Sequence, residues 1–326
     1  MNVVPDRSSI RAFVDLASRA PSVHNTQPWR WVFDGGTLAL HADVGRALPV
    51  VDPNGRQVVI SCGAALHHLT TVARAFRWNS TVAVSRSTRA GDPLARVAFT
   101  PGARPQSPDF ALLEAVTRRR SDRRSFGAVP HNSTVTDVIG EIARSFGVVV
   151  TALPADTHEA LAAASHHSAA VRRYDWTYQA ELRWWAGHSF VGNGIPAESR
   201  WIESEMPDTT TGRVFPPGRA TVSSDAGPSG PDRALVVVIG TAADNRYEWV
   251  QSGRALSAVV LEMTALGLAT CPLTHLTEET ASRAVVDRLS GSDALSQILI
   301  RIGTAPAGSG AGPTPRRPVS EVLTGA

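Results

Sequence analysis

Two stretches with helical patterns, GAALHHLTTVARAF and GRALSAVVLEMTALG, repeat one another at a constant separation along the chain. Matching glycine, alanine and leucine residues stand 190 positions apart, namely Gly63 and Gly253, Ala65 and Ala255, Leu66 and Leu256, and Ala75 and Ala265. The chain has 326 residues, which is about twice the size of a common domain. A duplicated fold is the simplest explanation of both observations.

Shifts in composition divide the chain into two predicted halves. Residues 101–108 are rich in proline and glycine, as expected for a linker, and they place the first half at 1–106 and the second at 107–326. Within the second half, residues 187–232 are rich in Gly, Pro, Ser and Thr and show little periodicity. A loop of this length in a compact domain is either disordered or a lid over a site. We therefore predict a lid-like insertion, followed later by a C-terminal tail.

Apolar periodicity predicts a mixture of helices and strands. The predicted helices begin near Asp6, span 57–76, run from Phe110 into an arginine cluster, and span about 250–267. The predicted strands form a hairpin around Asp34-Gly35-Gly36 and short runs near 81–85, 94–100, 148–153, 234–240 and 297–303. This mixture indicates an α+β fold.

Positive charge is concentrated between positions 118 and 124, where five arginines stand against one acid, Asp122, for a local charge of +4. All 32 basic residues are arginine and the chain has no lysine, which excludes a Schiff-base lysine, a P-loop lysine and a lysine general base. The net charge of the whole chain is only +3. Too little basic surface remains elsewhere for nucleic-acid binding, so we expect no nucleic-acid partner.

A polar turn and the arginine cluster are both suited to a polar or phosphorylated ligand. The stretch RAPSVHNTQPW, residues 19–29, packs a serine, a histidine, an asparagine and a glutamine into one turn, and these offer neutral donors and acceptors together. In TRRRSDRRSF, residues 117–126, arginines flank a serine, and the planar guanidinium binds phosphate bidentately. The structural alternative is that arginines at a helix end only complement its dipole.

A third basic segment lies near the C-terminus. In PTPRRPVSEVL, Arg316 and Arg317 stand between prolines after a flexible APAGSGAG stretch. Prolines hold such a tail extended, so it can reach across the molecule and present both charges. The alternative is a solvated basic tail without a ligand.

These motifs resemble those of a known flavoprotein family. APSVHNTQPW is similar to the Ala-Pro-Ser-x-x-Asn-x-Gln-Pro-Trp signature of the nitroreductase-like flavoproteins, and RRRSDRRSF resembles their Arg-Arg-Ser-x-Arg segment. GRALSAVVLEMTALGLATC resembles their long central helix with its following turn, and the closing arginine pair resembles their C-terminal phosphate contact. Single-domain members carry the first two motifs in the opposite order. The doubled chain instead resembles the actinobacterial Acg-like subgroup, whose two nitroreductase-like halves in one chain imitate the usual dimer.

The resemblance implies a nitroreductase-like fold of two tandem halves that form an internal pseudo-dimer, with one FMN per chain at their junction. It assigns the phosphate to Arg119, Ser121, Arg316 and Arg317, the pyrimidine edge to Arg123, and the N5 side to a turn over 270–274. His24 would either bond the cofactor or brace its turn. The residues expected to bind FMN are Ser22, His24, Asn25, Gln27, Pro28, Trp29, Arg119, Ser121, Arg123, Leu273, Thr274, Arg316 and Arg317.

Two functions follow from this resemblance. The first is an FMN-dependent oxidoreductase that passes electrons from NAD(P)H to a nitro compound or a quinone-like acceptor, with no catalytic side chain because the flavin carries the chemistry. The second is an FMN-sequestering or storage protein in which a lid over 187–232 excludes both substrates. The internal pseudo-dimer favours a monomer, although a homodimer stays open.

Other features indicate a cytoplasmic protein without metal or membrane. Cys62 and Cys271 are too few for a disulfide framework and lack metal-site spacing, which fits a reducing compartment. The N-terminus has no apolar signal core, and no run approaches the roughly 18 apolar residues of a membrane span. The adjacent pairs His67-His68 and His166-His167 diverge by about 100° on a helix, so neither pair is expected to share a metal.

Overall fold

The computed structural model describes residues 3–187, 194–195, 211–213, 231–307 and 312–326. Its helices are α1 (Arg7–Ala17), α2 (Arg56–Ala75), α3 (Ser107–Arg118), α4 (Asn132–Phe146), α5 (His158–Arg172), α6 (Trp176–Gly187), α7 (Arg246–Ala265), α8 (Thr280–Ser290) and α9 (Val319–Val322). The four helices predicted from periodicity are confirmed as α1, α2, α3 and α7. The Asp6 carboxylate caps α1 by accepting a hydrogen bond of 2.7 Å from the Ser9 amide. Most of the expected lid lies outside the described residues.

The strands form two sheets. They are β1 (Trp29–Phe33), β2 (Thr37–Ala42), β3 (Trp78–Val84), β4 (Ala95–Pro101), β5 (Val149–Ala152), β6 (Leu235–Thr241), β7 (Ala269–Leu273), β8 (Leu295–Gly303) and β9 (Leu323–Thr324). The first sheet has the order β3-β4-β2-β1-β9 and the second the order β5-β6-β8-β7. The predicted hairpin is confirmed as β1 and β2, with Trp29 opposite Ala42. In the first sheet, all neighbouring strands pair antiparallel except β1 and β9, which pair parallel.

The C-terminal tail returns from the second sheet to the first. Strand β8 pairs with β6 and β7, whereas β9 lies beside β1, with Leu323 opposite Trp31. The chain between them therefore crosses the molecule. This crossing brings residues 312–318 alongside the turn that connects α1 to β1.

Helices α2 and α7 cross at a pair of glycines. A Cβ atom on Gly63 would clash with the Val250 carbonyl oxygen, and one on Gly253 would clash with the Ile60 carbonyl oxygen. Ile60 and Val250 are separated by 190 positions, as Gly63 and Gly253 are, so the two contacts are reciprocal at the spacing of the sequence repeat. Reciprocal contacts between equivalent positions are what a two-fold interface produces. The two helices therefore contact one another through equivalent positions of the sequence repeat.

A second contact between the two helices also joins positions 190 residues apart and lies one turn further along. His67 and Ser257, also 190 positions apart, lie with the imidazole Nδ1 2.7 Å from the hydroxyl Oγ. One hydrophobic core continues from this helix pair into both sheets, through Trp31 and Leu40 on one side and Val237 and Ile300 on the other. The two sheets thus share a single core built around the helix crossing.

Candidate functional site

The turn between α1 and β1 has an unusual backbone. His24, Asn25 and Gln27 have φ angles of 47°, 55° and 49°, in the left-handed region that residues other than glycine rarely adopt. Two hydrogen bonds hold this conformation: the Gln27 amide donates to Ser22 Oγ at 3.0 Å, and the Val23 amide donates to Ser61 Oγ at 3.1 Å. A cluster of backbone outliers held in this way is typical of a ligand-binding segment.

Two adjoining cavities open beside this turn. The main cavity encloses about 780 Å³ of space that is partly open to solvent, and the arginine cavity beside it encloses about 490 Å³ on the same measure. Both are lined by Pro21, Ser22 and His24 from the turn and by Ser121 and Arg123 from the arginine cluster. The turn and the cluster, separated by about a hundred residues in sequence, therefore meet at one site.

The arginine cavity is lined by the buried Arg119 and the half-buried Arg316. Arg119 and Arg316 each donate from Nη2 to the Arg19 carbonyl oxygen at 3.1 Å. Within the described residues, Nε and Nη1 of Arg119 and Nε of Arg316 are buried without a hydrogen-bond partner. Unpaired buried donors on a cation are costly. An anion in this cavity would satisfy them.

The mutual electrostatics of these arginines point to the same ligand class. Burial, and then the charge of Arg120, lower the pKa of Arg119 to about 10 from an ordinary value of 12.5. Burial, and then the charges of Arg119, Arg19 and Arg120, lower the pKa of Arg316 to about 9. The protein thus holds positively charged groups close together in a site shielded from solvent, and a bound anion would stabilise this arrangement.

The arginine cluster divides into inward-facing and outward-facing members. Arg118 pairs with Glu114 at 3.0 Å, and Arg124 pairs with Asp122 at 2.6 Å. Arg119 and Arg123 instead line the cavities. The change from outward-facing to inward-facing arginines begins where α3 ends. The next residues leave the helix, and the Asp122 amide donates to the Thr270 carbonyl oxygen at 3.0 Å.

The two C-terminal arginines have different environments. Arg316 lines the arginine cavity and donates from Nη1 to Asn25 Oδ1 at 3.1 Å. The guanidinium of Arg317 instead lies on two carboxylates, at 3.2 Å from Asp43 and 3.3 Å from Glu321. Arg317 is therefore not among the residues that line either cavity, and its expected contact with the phosphate stays a prediction.

Three other expected site residues lie behind the turn. The Gln27 side chain is fully buried and accepts from the Arg317 amide at 2.8 Å. The Pro28 carbonyl oxygen accepts from the Asp43 amide at 2.9 Å, and Trp29 packs in the main core. None of them is among the residues lining either cavity, so their contribution in this structure is to hold the turn and the tail.

The opposite wall of the main cavity comes from the end of β7. Leu273 and Thr274 line it, together with Cys271. The sequence predicted a turn over 270–274, but residues up to Leu273 pair with β8 as a strand. Pro272 is tolerated there because β7 is the edge strand of its sheet, where one backbone donor is not needed.

Sequence reasoning missed several cavity residues. Arg213 lines the main cavity, forms an ion pair with Glu278, and donates to Tyr178 Oη at 2.7 Å. Nothing in its sequence neighbourhood, a glycine- and proline-rich stretch without periodicity, could have singled it out. Arg301 also lines the cavity and pairs with Asp232 at 2.6 Å. Its signal was available, since an arginine inside the apolar run ILIRIG is seldom buried without a partner.

Buried histidines in and near the site are held neutral. Burial, with the nearby charges of Arg213 and Arg123, keeps the pKa of His24 well below its ordinary value. His68 is fully buried, and its Nδ1 lies 2.7 Å from Ser257 Oγ, so this pair packs between helices. In the described part of the chain, no group of three or more His, Cys, Asp or Glu side chains could hold a metal, and no helix there is long and apolar enough to cross a membrane.

Relatives identify the family. The Mycobacterium tuberculosis protein Acg, which carries the name of an NAD(P)H nitroreductase, is 38% identical over 318 residues, covering 96% of this chain and 95% of Acg. The chain belongs to the Acg-like nitroreductase family. A second M. tuberculosis protein with the same kind of name is 34% identical over 326 residues, covering 98% of this chain and 92% of its own. No family model matches the chain.

Solved structures give a weaker likeness. The FMN- and NADPH-dependent nitroreductase NfnB of Sphigopyxis sp. is 18% identical with a TM-score of 0.39, over 65% of this chain and 97% of that chain. The NfnB of Mycobacterium smegmatis, solved with NADPH, is 17% identical with a TM-score of 0.38, over 61% of this chain and 89% of that chain. Because these scores are low, the assignment rests on the mycobacterial relatives. Membership of the Acg-like family, together with the mixed helices and strands, confirms the α+β nitroreductase-like fold class.

Proposed function

We propose that this chain is an FMN-binding oxidoreductase of the nitroreductase type, which passes electrons from NAD(P)H to a nitro compound or a quinone-like acceptor. The observation that carries the proposal is the arginine cavity, where buried nitrogens of Arg119 and Arg316 lack partners among the described residues beside a larger cavity. A ligand that carries a phosphate beside a larger group suits this pairing. The names of the mycobacterial relatives point to the same activity.

The residues present fit a flavin mononucleotide. The FMN phosphate would be held by Arg119, Ser121 and Arg316, which offer charged forks and a hydroxyl in one cavity. The polar turn, through Ser22 and His24, lies where the two cavities meet, as a ribityl chain linking phosphate and ring would require. These groups come from both predicted halves, which supports one FMN per chain at their junction.

Bound FMN supplies the hydride and electron chemistry. The contribution of this chain is to bind and orient it and to set its electrostatic surroundings. Arg123 is half-buried and lines the main cavity, so its charge would stabilise negative charge on the adjacent ring edge. Leu273 and Thr274 close the opposite wall and would limit access to one face.

The reciprocal helix crossing supports the proposed architecture. We propose that residues 1–106 and 107–326 are two nitroreductase-like halves whose shared interface replaces that of a dimer. The contacts of Gly63 with Val250 and of Gly253 with Ile60 would form this interface within one chain. We propose that such a chain works in the cytoplasm as a monomer or as a homodimer, with the internal interface favouring the monomer.

One observation favours the storage hypothesis. Residues 211–213 dock against the main cavity, where Ser165 Oγ donates to the Gly212 carbonyl oxygen at 2.8 Å and Arg213 pairs with Glu278. Both side chains of this ion pair are buried, with 9% and 3% of their surface exposed. A segment held this firmly would restrict the entry of NAD(P)H and acceptor.

Steady-state oxidation of NADH and NADPH separates these functions. With nitroaromatic and quinone acceptors, the FMN-loaded protein is expected to turn over faster than the same concentration of unbound FMN. Turnover no faster than unbound FMN, combined with higher turnover in a Glu278→Gln variant that loosens Arg213, would favour storage. A purified protein that neither carries nor takes up flavin would refute both functions.

A further inference from the structure

His275 has a hydrogen-bonding arrangement that fixes the position of its proton. It lies in the 3₁₀ turn His275–Thr277 directly after β7, is 5% exposed, and lines the main cavity. Its Nε2 is 2.8 Å from Ser165 Oγ on α5. The Ser165 hydroxyl in turn donates to the Gly212 carbonyl oxygen at 2.8 Å.

Counting hydrogens decides the tautomer. A serine hydroxyl has one hydrogen, and a carbonyl oxygen can only accept, so the Ser165 hydrogen is directed to Gly212. The short contact between Ser165 Oγ and His275 Nε2 can then be a hydrogen bond only if Nε2 donates. In a neutral imidazole this leaves the lone pair on Nδ1.

The Nδ1 atom is therefore a buried acceptor. It has no hydrogen-bond partner among the residues that the structure describes. Burial, followed by the charge of Arg213, keeps the pKa of His275 well below its ordinary value of 6.5, so the ring stays neutral near pH 7. A buried acceptor without a donor is unfavourable, and the space next to this residue is the main cavity.

Three cations in the same lining have the opposite character. Arg123, Arg213 and Arg301 line the same cavity, and guanidinium groups can only donate. A carbonyl oxygen of a ligand can accept from such donors, whereas an N–H or O–H group of a ligand needs an acceptor, which His275 Nδ1 would supply.

We propose that His275 Nδ1 accepts a hydrogen bond from an N–H or O–H group of the molecule bound in the main cavity, and so selects for imide, amide or hydroxyl groups. Ser165 is the positioning residue, because it holds the tautomer that makes Nδ1 an acceptor. The two candidate hydrogen-bond donors are the imide N–H of the flavin ring and an N–H or O–H group of the electron acceptor. Their identity rests on the proposed function.

NMR of the full chain labelled with ¹⁵N-histidine tests the tautomer without any turnover. The His275 signals are assigned by their loss in His275→Gln. In the ligand-free protein the nitrogen shifts are expected to report a neutral ring protonated at Nε2. A ring protonated at Nδ1, or a charged ring near pH 7, would overturn the proposal.

Ligand additions to the same sample identify the donor. FMN alone is expected to move the Nδ1 resonance if the flavin is the donor. If FMN leaves it unchanged, 4-nitrobenzamide, which carries an amide N–H, should move it and the methyl ester of 4-nitrobenzoic acid, which does not, should leave it in place. An Nδ1 resonance that none of these moves contradicts the proposal, whereas failure of FMN to bind at all is visible separately in the flavin absorbance and contradicts the proposed function.

Two substitutions at one position separate the acceptor from the fold. His275→Gln can still donate to Ser165 but lacks an acceptor at the Nδ1 position, whereas His275→Asn places an amide oxygen near that position. Affinity for the donor-bearing ligand, measured by flavin absorbance or calorimetry, should fall about tenfold in His275→Gln and less in His275→Asn. Ser165→Ala should lower this affinity by a similar factor. Ser168 is buried on the same helix, so Ser168→Ala serves as the matched control. Equal losses in His275→Gln and His275→Asn would count against the proposal.

Discussion

Replacing Arg119 by methionine should have opposite effects on stability and on ligand binding. The guanidinium is 4% exposed, and its one hydrogen bond within the described residues is that from Nη2 to the Arg19 carbonyl oxygen at 3.1 Å. Methionine keeps most of the side-chain volume and removes the charge. The ligand-free protein therefore loses a buried charge that its own structure does not neutralise.

The lowered pKa gives the size of the effect. A fall from 12.5 to about 10 for Arg119 corresponds to about 3 kcal/mol against the charged form, at about 1.4 kcal/mol for each tenfold change. Loss of the bond to Arg19 offsets about 1 kcal/mol. We expect the free energy of unfolding of the ligand-free protein to rise by about 1–2 kcal/mol. A phosphate would lose a charge-assisted contact, so FMN affinity should fall by about 10- to 100-fold.

Denaturant unfolding of the ligand-free protein and titration with FMN measure the two quantities. Arg118→Met is the matched control, because Arg118 is its neighbour in sequence but is exposed and paired with Glu114, and both quantities should stay close to those of the parent. A less stable Arg119→Met variant, or one with undiminished FMN affinity, would refute the account of the arginine cavity.

Two further predictions concern the helix crossing and the buried histidines. Gly63→Ala should lower the free energy of unfolding by about 2–3 kcal/mol in a denaturant titration, because its Cβ would clash with the Val250 carbonyl oxygen. Gly140→Ala, whose Cβ would meet only Arg144 Nη1 at 3.7 Å, should be neutral or slightly stabilising, and equal losses in the two would contradict the crossing. For the histidines, burial lowers the pKa of His24 and His275 below the 6.5 of the unfolded chain, so the unfolded state binds protons first as the pH falls. The free energy of unfolding should therefore decrease below about pH 6.5, by up to about 1.4 kcal/mol per pH unit for each histidine. A free energy of unfolding that is unchanged between about pH 7 and pH 5 would show that these rings are not held neutral.

Sequence patterns predicted the parts of this molecule that local physics decides. The first helix, the hairpin and the pair of matching helices follow from apolar spacing, capping by Asp6 and the turn after Phe33. Arg119, Ser121 and Arg123, which the resemblance assigned to the site, line one cavity. The repeat spacing of 190 residues anticipated equivalent helices, although it did not predict that the equivalent glycines touch.

Other features depend on tertiary contacts that no local pattern encodes. Arg316 and Arg317 are indistinguishable in sequence, and only the position of Asp43 beside Arg317 separates them. Arg213 reaches the cavity from a stretch without periodicity, and the role that we propose for His275 depends on Ser165, which lies 110 residues away. The strand in place of a turn at 270–273 follows from pairing with β8, which compensates for the proline within it.

We propose that one cavity in each chain binds FMN through its phosphate. Calorimetric titration of the ligand-free protein with FMN, and separately with riboflavin, measures this binding. We expect one FMN per chain and much weaker binding of riboflavin, which lacks the phosphate that Arg119 and Arg316 would hold. No FMN binding, two FMN per chain, or equal affinity for riboflavin would contradict it.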